Sequence, residues 1–296
     1  MCGIVGLYAK HDSVSSQLGS LLADMLIQMG ERGPDSAGVA LYRDTEGGAK
    51  LSVRLANAAQ RDAFREAAAT ALACQTASLG GHVLLSGELG DDAVAWVETH
   101  YPDADIMSVG QRIEIYKEAV HPSEFVASHA LSDVQGSHAL GHTRMATESA
   151  VTTQGSHPFS TGEDLCLVHN GSLSNHNRLR QNLERAGLRF KTENDSEVAA
   201  GYLAHRLNQG DSLREALEAA LEDLDGFYTF AIGTSRGFAV LRDPIACKPA
   251  VLAETDEWVA MASEYRAIAQ LPGAAHATVW EPEPARVYTW EREATA

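Results

Sequence analysis

Cysteine is scarce in this chain, and its few copies are scattered. Cys2, Cys74, Cys166 and Cys247 show no paired spacing. That excludes a disulfide framework and a zinc-binding pattern, and it leads us to expect a reducing cytoplasm. Basic residues are also in deficit: 23 Lys and Arg stand against 40 Asp and Glu, a formal net charge of −17. So acidic a surface argues against nucleic acid and against an anionic membrane as partner. Long apolar runs are missing, and no segment approaches the length of a membrane span. The apolar start has neither a basic leader nor a small-residue cleavage site, so no signal peptide is expected. There is no glycine-rich phosphate loop, no internal repeat and no low-complexity linker. Aromatics supply only 6% of residues, yet the hydrophobic share is 45% over 296 residues, enough for a sizeable core in one large domain or two.

Periodicity places the elements. Residues 3–9 read as a strand, and Ser16 to Met29 carries Leu18, Leu21, Leu22, Met25, Leu26 and Met29 at helical spacing. Gly30 ends that helix, and Glu31-Arg32-Gly33-Pro34-Asp35-Ser36-Ala37-Gly38 is a loop dense in turn residues. Further strands are expected at 39–42, 51–55, 82–85 and 113–116, the last alternating as a half-buried strand does. Helices are expected at 59–74, 91–100 and 123–131. Ser137 to Thr143 is a strand leading into Arg144, and Leu165 to His169 is a strand ending in Asn170-Gly171. Helices follow at 174–186, 195–207 and 212–224; both Asn194 to Glu197 and Ser212 to Glu215 have the spacing of a capping box. Strand pairs at 227–233 and 237–242, and at 249–254 and 258–262, read as hairpins, with final strands near 276–280 and 286–290. Grouped hairpins suggest antiparallel sheets with helices outside them, an α+β chain.

Four constellations carry candidate chemistry. In Met1-Cys2-Gly3-Ile4-Val5-Gly6, removal of Met1 leaves a thiol and a free α-amine on one residue. The thiol titrates at roughly 8.5 and the amine at about 8, so the amine can serve as a base beside its own nucleophile. The plain alternative is an ordinary N-terminal strand. In Gly141-His142-Thr143-Arg144-Met145-Ala146-Thr147 a strand delivers a planar guanidinium that fits a carboxylate, or else a surface ion pair. His169-Asn170-Gly171 reads either as a hairpin turn or as an oxyanion hole, the Asn amide and the Gly N–H facing a developing negative oxygen. Asp195, within Asn194-Asp195-Ser196-Glu197, is either part of a helix cap or a carboxylate for a substrate ammonium.

In this order the segments resemble the class II glutamine amidotransferases, the N-terminal-nucleophile type. Residues 1–6 match the nucleophile segment, and Arg32 to Gly38 the loop that closes around glutamine. Gly141 to Arg144, with Thr147, matches the grip on the substrate carboxylate. His169-Asn170-Gly171 matches the oxyanion hole, and Asp195 the acid that binds the substrate ammonium. Arg242-Asp243-Pro244 and Ala262-Ser263-Glu264 match later elements of the same domain. The resemblance implies a four-layer α-β-β-α sandwich of two antiparallel sheets, a single domain over 2–296, and catalysis by Cys2, Asn170 and Gly171. Arg144, Thr147 and Asp195 would hold L-glutamine or a close analogue, with Arg32 in support. No metal or organic cofactor is needed for that half-reaction.

The chain also departs from the family pattern. Met145 and Ala146 replace an aromatic and a serine, and Glu148 follows Thr147 where a neutral residue or a histidine is usual. The stretch between Asp35 and Arg144 is longer than usual, so 58–135 is expected to be an insertion that offers a docking surface. No synthase domain is expected within these 296 residues. Ammonia is therefore expected to pass to a separate synthase subunit in a hetero-oligomer. The resemblance is to free-standing glutaminase components of glutamate-synthase-like complexes, including the N-methylglutamate synthase type. A non-catalytic scaffold or glutamine-sensing subunit and a stand-alone amidase are the competing readings.

Overall fold

The structure is a computed structural model that describes residues 2–44, 48–90, 92–146 and 151–292. Strand β1 (Gly3–Ala9), short helix α1 (Asp12–Ser15), helix α2 (Leu18–Gln28) and strand β2 (Ser36–Tyr42) open the chain. A compact segment follows: β3 (Ala49–Arg54), α3 (Ala58–Ala71), β4 (Gln75–Leu79), β5 (His82–Gly87), α4 (Asp92–His100) and β6 (Asp105–Gly110). The chain then continues through β7 (Ile113–Glu118), α5 (Pro122–Ser128), β8 (His138–Arg144), β9 (Phe159–Gly162) and β10 (Leu165–Leu173). Three helices come next, α6 (His176–Arg185), α7 (Asp195–Asn208) and α8 (Leu213–Asp223), and then the hairpin β11 (Gly226–Thr234) and β12 (Gly237–Arg242). The last elements are β13 (Val251–Glu254), β14 (Trp258–Ala262), α9 (Tyr265–Ile268), β15 (Thr278–Trp280) and β16 (Val287–Glu291). Among the described residues no helix is long and apolar enough to cross a membrane.

A seven-stranded sheet runs in the order β15-β13-β14-β1-β8-β2-β7, and a five-stranded sheet in the order β16-β12-β11-β10-β9. Every pairing is antiparallel. Strand alternation builds the layers. Val5 and Leu7 of β1 face a cluster that includes Leu22 and Leu26 of α2. Ile4 and Tyr8 face the other way, into a cluster with Val168 of β10 and Phe238 of β12. On the far side of the second sheet, Leu167, Phe230 and Leu241 pack with Val198, Leu203 and Leu217 of α7 and α8. The resulting order is helix, sheet, sheet, helix, the four-layer sandwich expected above. Because β1 lies in the middle of this stack, six of its seven residues are buried, and it reads as a continuous apolar run.

A third, four-stranded antiparallel sheet, β4-β5-β3-β6, was not foreseen. It has its own core, in which Leu51, Val53, Val83 and Leu85 meet Phe64 of α3 and Val97 of α4. The alternate residues of β3 are polar and face β7, the edge strand of the large sheet. Lys50 Nζ binds Glu114 at 2.6 Å, Ser52 Oγ donates to Ile115 O at 2.8 Å, and Arg54 binds Glu118 through two bonds of 3.0 Å. The outward N–H groups of β7 are taken in turn by Asp164 Oδ1, Ser108 Oγ and His82 Nε2. The third sheet thus covers the edge that β7 would otherwise leave open.

Three local expectations are corrected. The loop expected at 31–38 is shorter, because Ser36, Ala37 and Gly38 already pair in β2 with Arg144, Thr143 and His142 of β8. The capping box at Ser212 and Glu215 is present, but that at 194–197 is not. Asn194 caps Ser196 N at 2.9 Å, while Glu197 turns back to the N–H groups of Lys191 and Thr192, both at 2.8 Å. Strand β10 does not stop at His169. It runs on through Asn170 and Gly171, which pair with Thr229 and Tyr228 of β11, so Asn-Gly is not a hairpin turn here.

Candidate active site

The start of β1 is pinned from both flanks. Ile4 N donates to Ser263 Oγ and Ser263 N donates to Ile4 O, each at 2.9 Å. Gly3 faces Thr143 across the pair with β8, where a Cβ would come within 2.8 Å of Met29 and Thr143 side-chain atoms. The backbone can therefore approach α2 only as glycine. Beyond this point lies Cys2, half-buried. Its carbonyl accepts from Arg32 Nε at 3.0 Å and from Asn170 Nδ2 at 3.3 Å. Arg32 in turn binds Glu264 Oε1 at 2.5 Å. Of the other thiols, burial pushes Cys166 up to about 12 and also raises Cys74, while Cys247 is exposed. Arg242 and Asp243 brace the chain elsewhere. Asp243 takes the N–H groups of Tyr228 and Ile245, and Arg242 donates to the carbonyls of Pro282 and Lys248.

Asn170 and Gly171 come from the other sheet. Asn170 is 4% exposed. Gly171 has φ +153°, and a Cβ there would sit 2.0 Å from Phe227 O, so the strand tolerates only glycine. Asp195 opens α7, and its Oδ2 accepts from Leu173 N at 2.8 Å, which ties the helix start to the end of β10.

Arg144 ends β8. Its carbonyl accepts from Asp35 N at 3.0 Å, and Asp35 Oδ2 accepts from Ala146 N at 2.8 Å. A Cβ on Gly33 would strike Thr143 C at 2.4 Å, so the 32–35 loop lies directly on the backbone around Arg144. Arg144 Nη1 and Asn194 Nδ2 both donate to Gly155 O at 3.3 Å. Thr147 and Glu148 lie outside the described residues.

A buried histidine array that the sequence did not disclose backs these groups. Ser196 Oγ lies 2.9 Å from both His157 Nε2 and His169 Nδ1, and 3.3 Å from Asp195 Oδ1. Among the described residues, His157 Nδ1 and His169 Nε2 have no partner. A buried N–H without an acceptor is rarer than an unused lone pair, which puts the protons on the bonded nitrogens. Both imidazoles then donate to Ser196, and its hydroxyl donates to Asp195. His142 stacks on His157 at 4.0 Å, and its Nε2 donates to His169 O at 3.1 Å. Burial lowers all three histidines, His142 to about 3 and His169 to about 4, with Asp195 opposing the shift at His169. They are neutral donors at neutral pH. The serine lay within Asn194-Asp195-Ser196-Glu197, but nothing local identified its hub role.

A family model described as a glutamine amidotransferase domain matches residues 142–270. The chain is 52% identical, over 301 residues and 100% of both chains, to the glutamine amidotransferase-like protein GlxB of Rhizobium meliloti (strain 1021). It is 36% identical over 110 residues, 37% of this chain and 18% of the other, to a glutamine–fructose-6-phosphate aminotransferase of Pseudomonas putida. The fold is similar to that of a glutamine phosphoribosylpyrophosphate amidotransferase from B. subtilis solved with ADP and GMP. That match has a TM-score of 0.63 and 22% identity, and covers 98% of this chain and 47% of that one. The chain thus spans about half of that structure, a likeness of fold alone. With a relative so similar over its whole length, the chain belongs to the class II, N-terminal-nucleophile family of glutamine amidotransferases, a family of enzymes.

Proposed function

We propose that this chain hydrolyses the side-chain amide of L-glutamine through Cys2 and passes the ammonia to a synthase active site on another polypeptide. The observation that carries the reading is the meeting of Asn170 and Arg32 on the Cys2 carbonyl, which sets an amide donor against the residue that bears the thiol. Removal of Met1 frees the α-amine, which takes the thiol proton. Sulfur attacks the amide carbon, and the C=O electrons move to oxygen, where Asn170 Nδ2–H and Gly171 N–H receive them. Collapse of the adduct breaks the C–N bond, and the ammonium at the N-terminus protonates the leaving ammonia. Water then hydrolyses the γ-glutamyl thioester to glutamate and regenerates the thiol. Arg144 and Asp195 hold the amino-acid end and Arg32 fixes the nucleophile segment. Thr147 assists the carboxylate grip.

The third sheet falls largely within 58–135, which we take as an insertion, and it suits a docking role. It is linked to the site. Glu118, held by Arg54 of β3, accepts from Thr153 at 3.1 Å, and Asp105 of β6 accepts from Gln154. Gly155 follows, with Arg144 on its carbonyl. A partner seated on the third sheet has a path to the substrate grip, and such coupling prevents futile release of ammonia. The sequence resemblance points to a glutamate-synthase-like acceptor, of which the N-methylglutamate synthase type is one.

The test is glutamate release by the purified chain, alone and with the synthase chains recovered by pull-down. The proposal expects slow turnover alone, a rise with the partner, and none for Cys2→Ala. Full activity without a partner favours a stand-alone amidase. Saturable glutamine binding with no turnover in either state favours a sensing or scaffold subunit.

A further inference from the structure

Lys117, on β7, lies in the stretch to which sequence reading assigned no chemistry, and it is 5% exposed. Its Nζ donates to three backbone carbonyls: Ser156 at 2.7 Å, Pro158 at 3.1 Å and Gln154 at 3.2 Å. An ammonium has three N–H donors, so one strip of chain uses them all. The face of Phe159 lies 4.6 Å from Nζ. Among the described residues no carboxylate is within ion-pair distance of it. Burying a cation without a paired acid is costly, and carbonyls must replace its water. Burial lowers this lysine to about 7, against the opposing pull of Glu197 and Asp105.

The strip that Lys117 holds has a second side. Gly155 lies between two of the bonded carbonyls, and its own carbonyl receives Arg144 and Asn194. His157 lies between those of Ser156 and Pro158, and its Nε2 donates to Ser196, the hydroxyl beside Asp195. Gly38 of β2 backs the strip: a Cβ there would sit 2.1 Å from His157 O and 2.6 Å from the Lys117 Cβ. The strip is therefore wedged against β2 on one side and leads to the substrate-binding groups on the other.

We propose that Lys117 is a positioning residue for the substrate grip: its ammonium sets the 154–158 backbone, which through Gly155 and His157 sets Arg144, Asn194 and Asp195. The proposal rests on the reading of Arg144 and Asp195 as the groups that hold the amino-acid end of glutamine. Without the ammonium, three carbonyls lose their donor together, and the strip must move to find water. A displacement of about 1 Å at a substrate-orienting group can cost on the order of 100-fold in rate.

The test compares Lys117→Met and Lys117→Gln with the native chain. Iodoacetamide reports the Cys2 thiol without needing the grip. A diazoketone analogue of glutamine reports the thiol and the grip together. Both adducts are read by mass spectrometry at the Cys2 peptide. Lys117→Met should keep its iodoacetamide rate within about two-fold, while the half-saturation for the diazoketone and the KM for glutamine rise about ten-fold or more, with a smaller fall in kcat. Lys117→Gln keeps two donors and should fall between, and it carries the test if the methionine variant does not fold. Unchanged KM with a lowered melting temperature would overturn the proposal and leave Lys117 a stabilising residue only. Loss of both labels together would equally overturn it, as collapse of the site. If the native chain shows no saturable diazoketone labelling, the glutaminase reading itself fails, and this proposal with it.

Discussion

Replacing Asn170 by alanine separates its chemical role from its structural one. In the resting site its amide makes one bond among the described residues, to Cys2 O at 3.3 Å. That is longer than the usual 2.9–3.0 Å, so its loss should cost no more than about 1 kcal/mol of stability. For a domain of this size that is a melting shift of roughly 2–4 °C. In the proposed mechanism the transition state asks more of the same amide, because a negative oxygen develops against it. Loss of one oxyanion donor costs about 2.7–4 kcal/mol, or roughly 100- to 1,000-fold in kcat. KM should change much less, since the proposal gives the amino-acid end of the substrate to Arg144 and Asp195 and not to Asn170. Asn170→Asp, which turns an acceptor toward the developing charge, should be at least as slow as the alanine variant. The assay is glutamate release at saturating glutamine, with the melting temperature measured on the same preparations. A kcat within about three-fold of native would refute the oxyanion assignment. A melting temperature lower by more than about 10 °C would mean that Asn170 chiefly braces the junction between the sheets.

Active protein should lack Met1 on intact-mass analysis, and a glutamine-shaped electrophile should label Cys2 while sparing buried Cys166 and exposed Cys247; retained Met1 throughout would sink the mechanism. Ser196→Ala removes the acceptor of two buried imidazoles and should lower unfolding free energy by roughly 2–4 kcal/mol and raise KM for glutamine; a loss below about 0.5 kcal/mol by urea titration would refute the hub. The chain should be acid-labile, because burial lowers His82, His138 and His142 to about 3. Their folded values lie below the unfolded value of about 6.5, so the unfolded chain binds protons that the folded chain refuses, and stability present above about 6.5 is lost as pH falls toward 3, at about 1.4 kcal/mol per unit for each histidine. A urea midpoint that is flat or rising from pH 7 to pH 5 would contradict this.

The sandwich was legible because its central strands are apolar on both faces. Runs such as those of β1 and β14 carry this mark whatever pairs with them. The third sheet was not legible, and its strands show why. Residues 75–79 are Gln-Thr-Ala-Ser-Leu, an edge strand with no buried residue. Residues 105–110 bury Met107 and Ser108 in succession, so no period of two emerges. Strand β3 pairs with β5 and β6, each reached only across a helix. Asn170-Gly171 has the local chemistry of a turn, yet the full register with β11 overrides it. Glu197 has the spacing of a capping-box acid, yet two free N–H groups at 191 and 192 draw it away.

The same missing sheet explains which parts of the site could not be read. Alternation over Ile113 to Tyr116 describes a half-buried strand, which assigns Glu114 to water. The structure buries Glu114 to 1% exposure among Lys50, Arg43 and Tyr116, because the third sheet closes over the edge of β7. Lys117, on the same strand, is buried against the 154–158 strip and gives its ammonium to three carbonyls there. The residues proposed to touch substrate stood out as short motifs, since their chemistry constrains residue type at fixed spacing. Groups that hold those residues in place are selected by distance in the fold, and a lysine, a serine and a histidine drawn from β7, α7 and the 154–158 strip share no spacing at all. Reading them required the fold that brings β7, α7 and the 154–158 strip together.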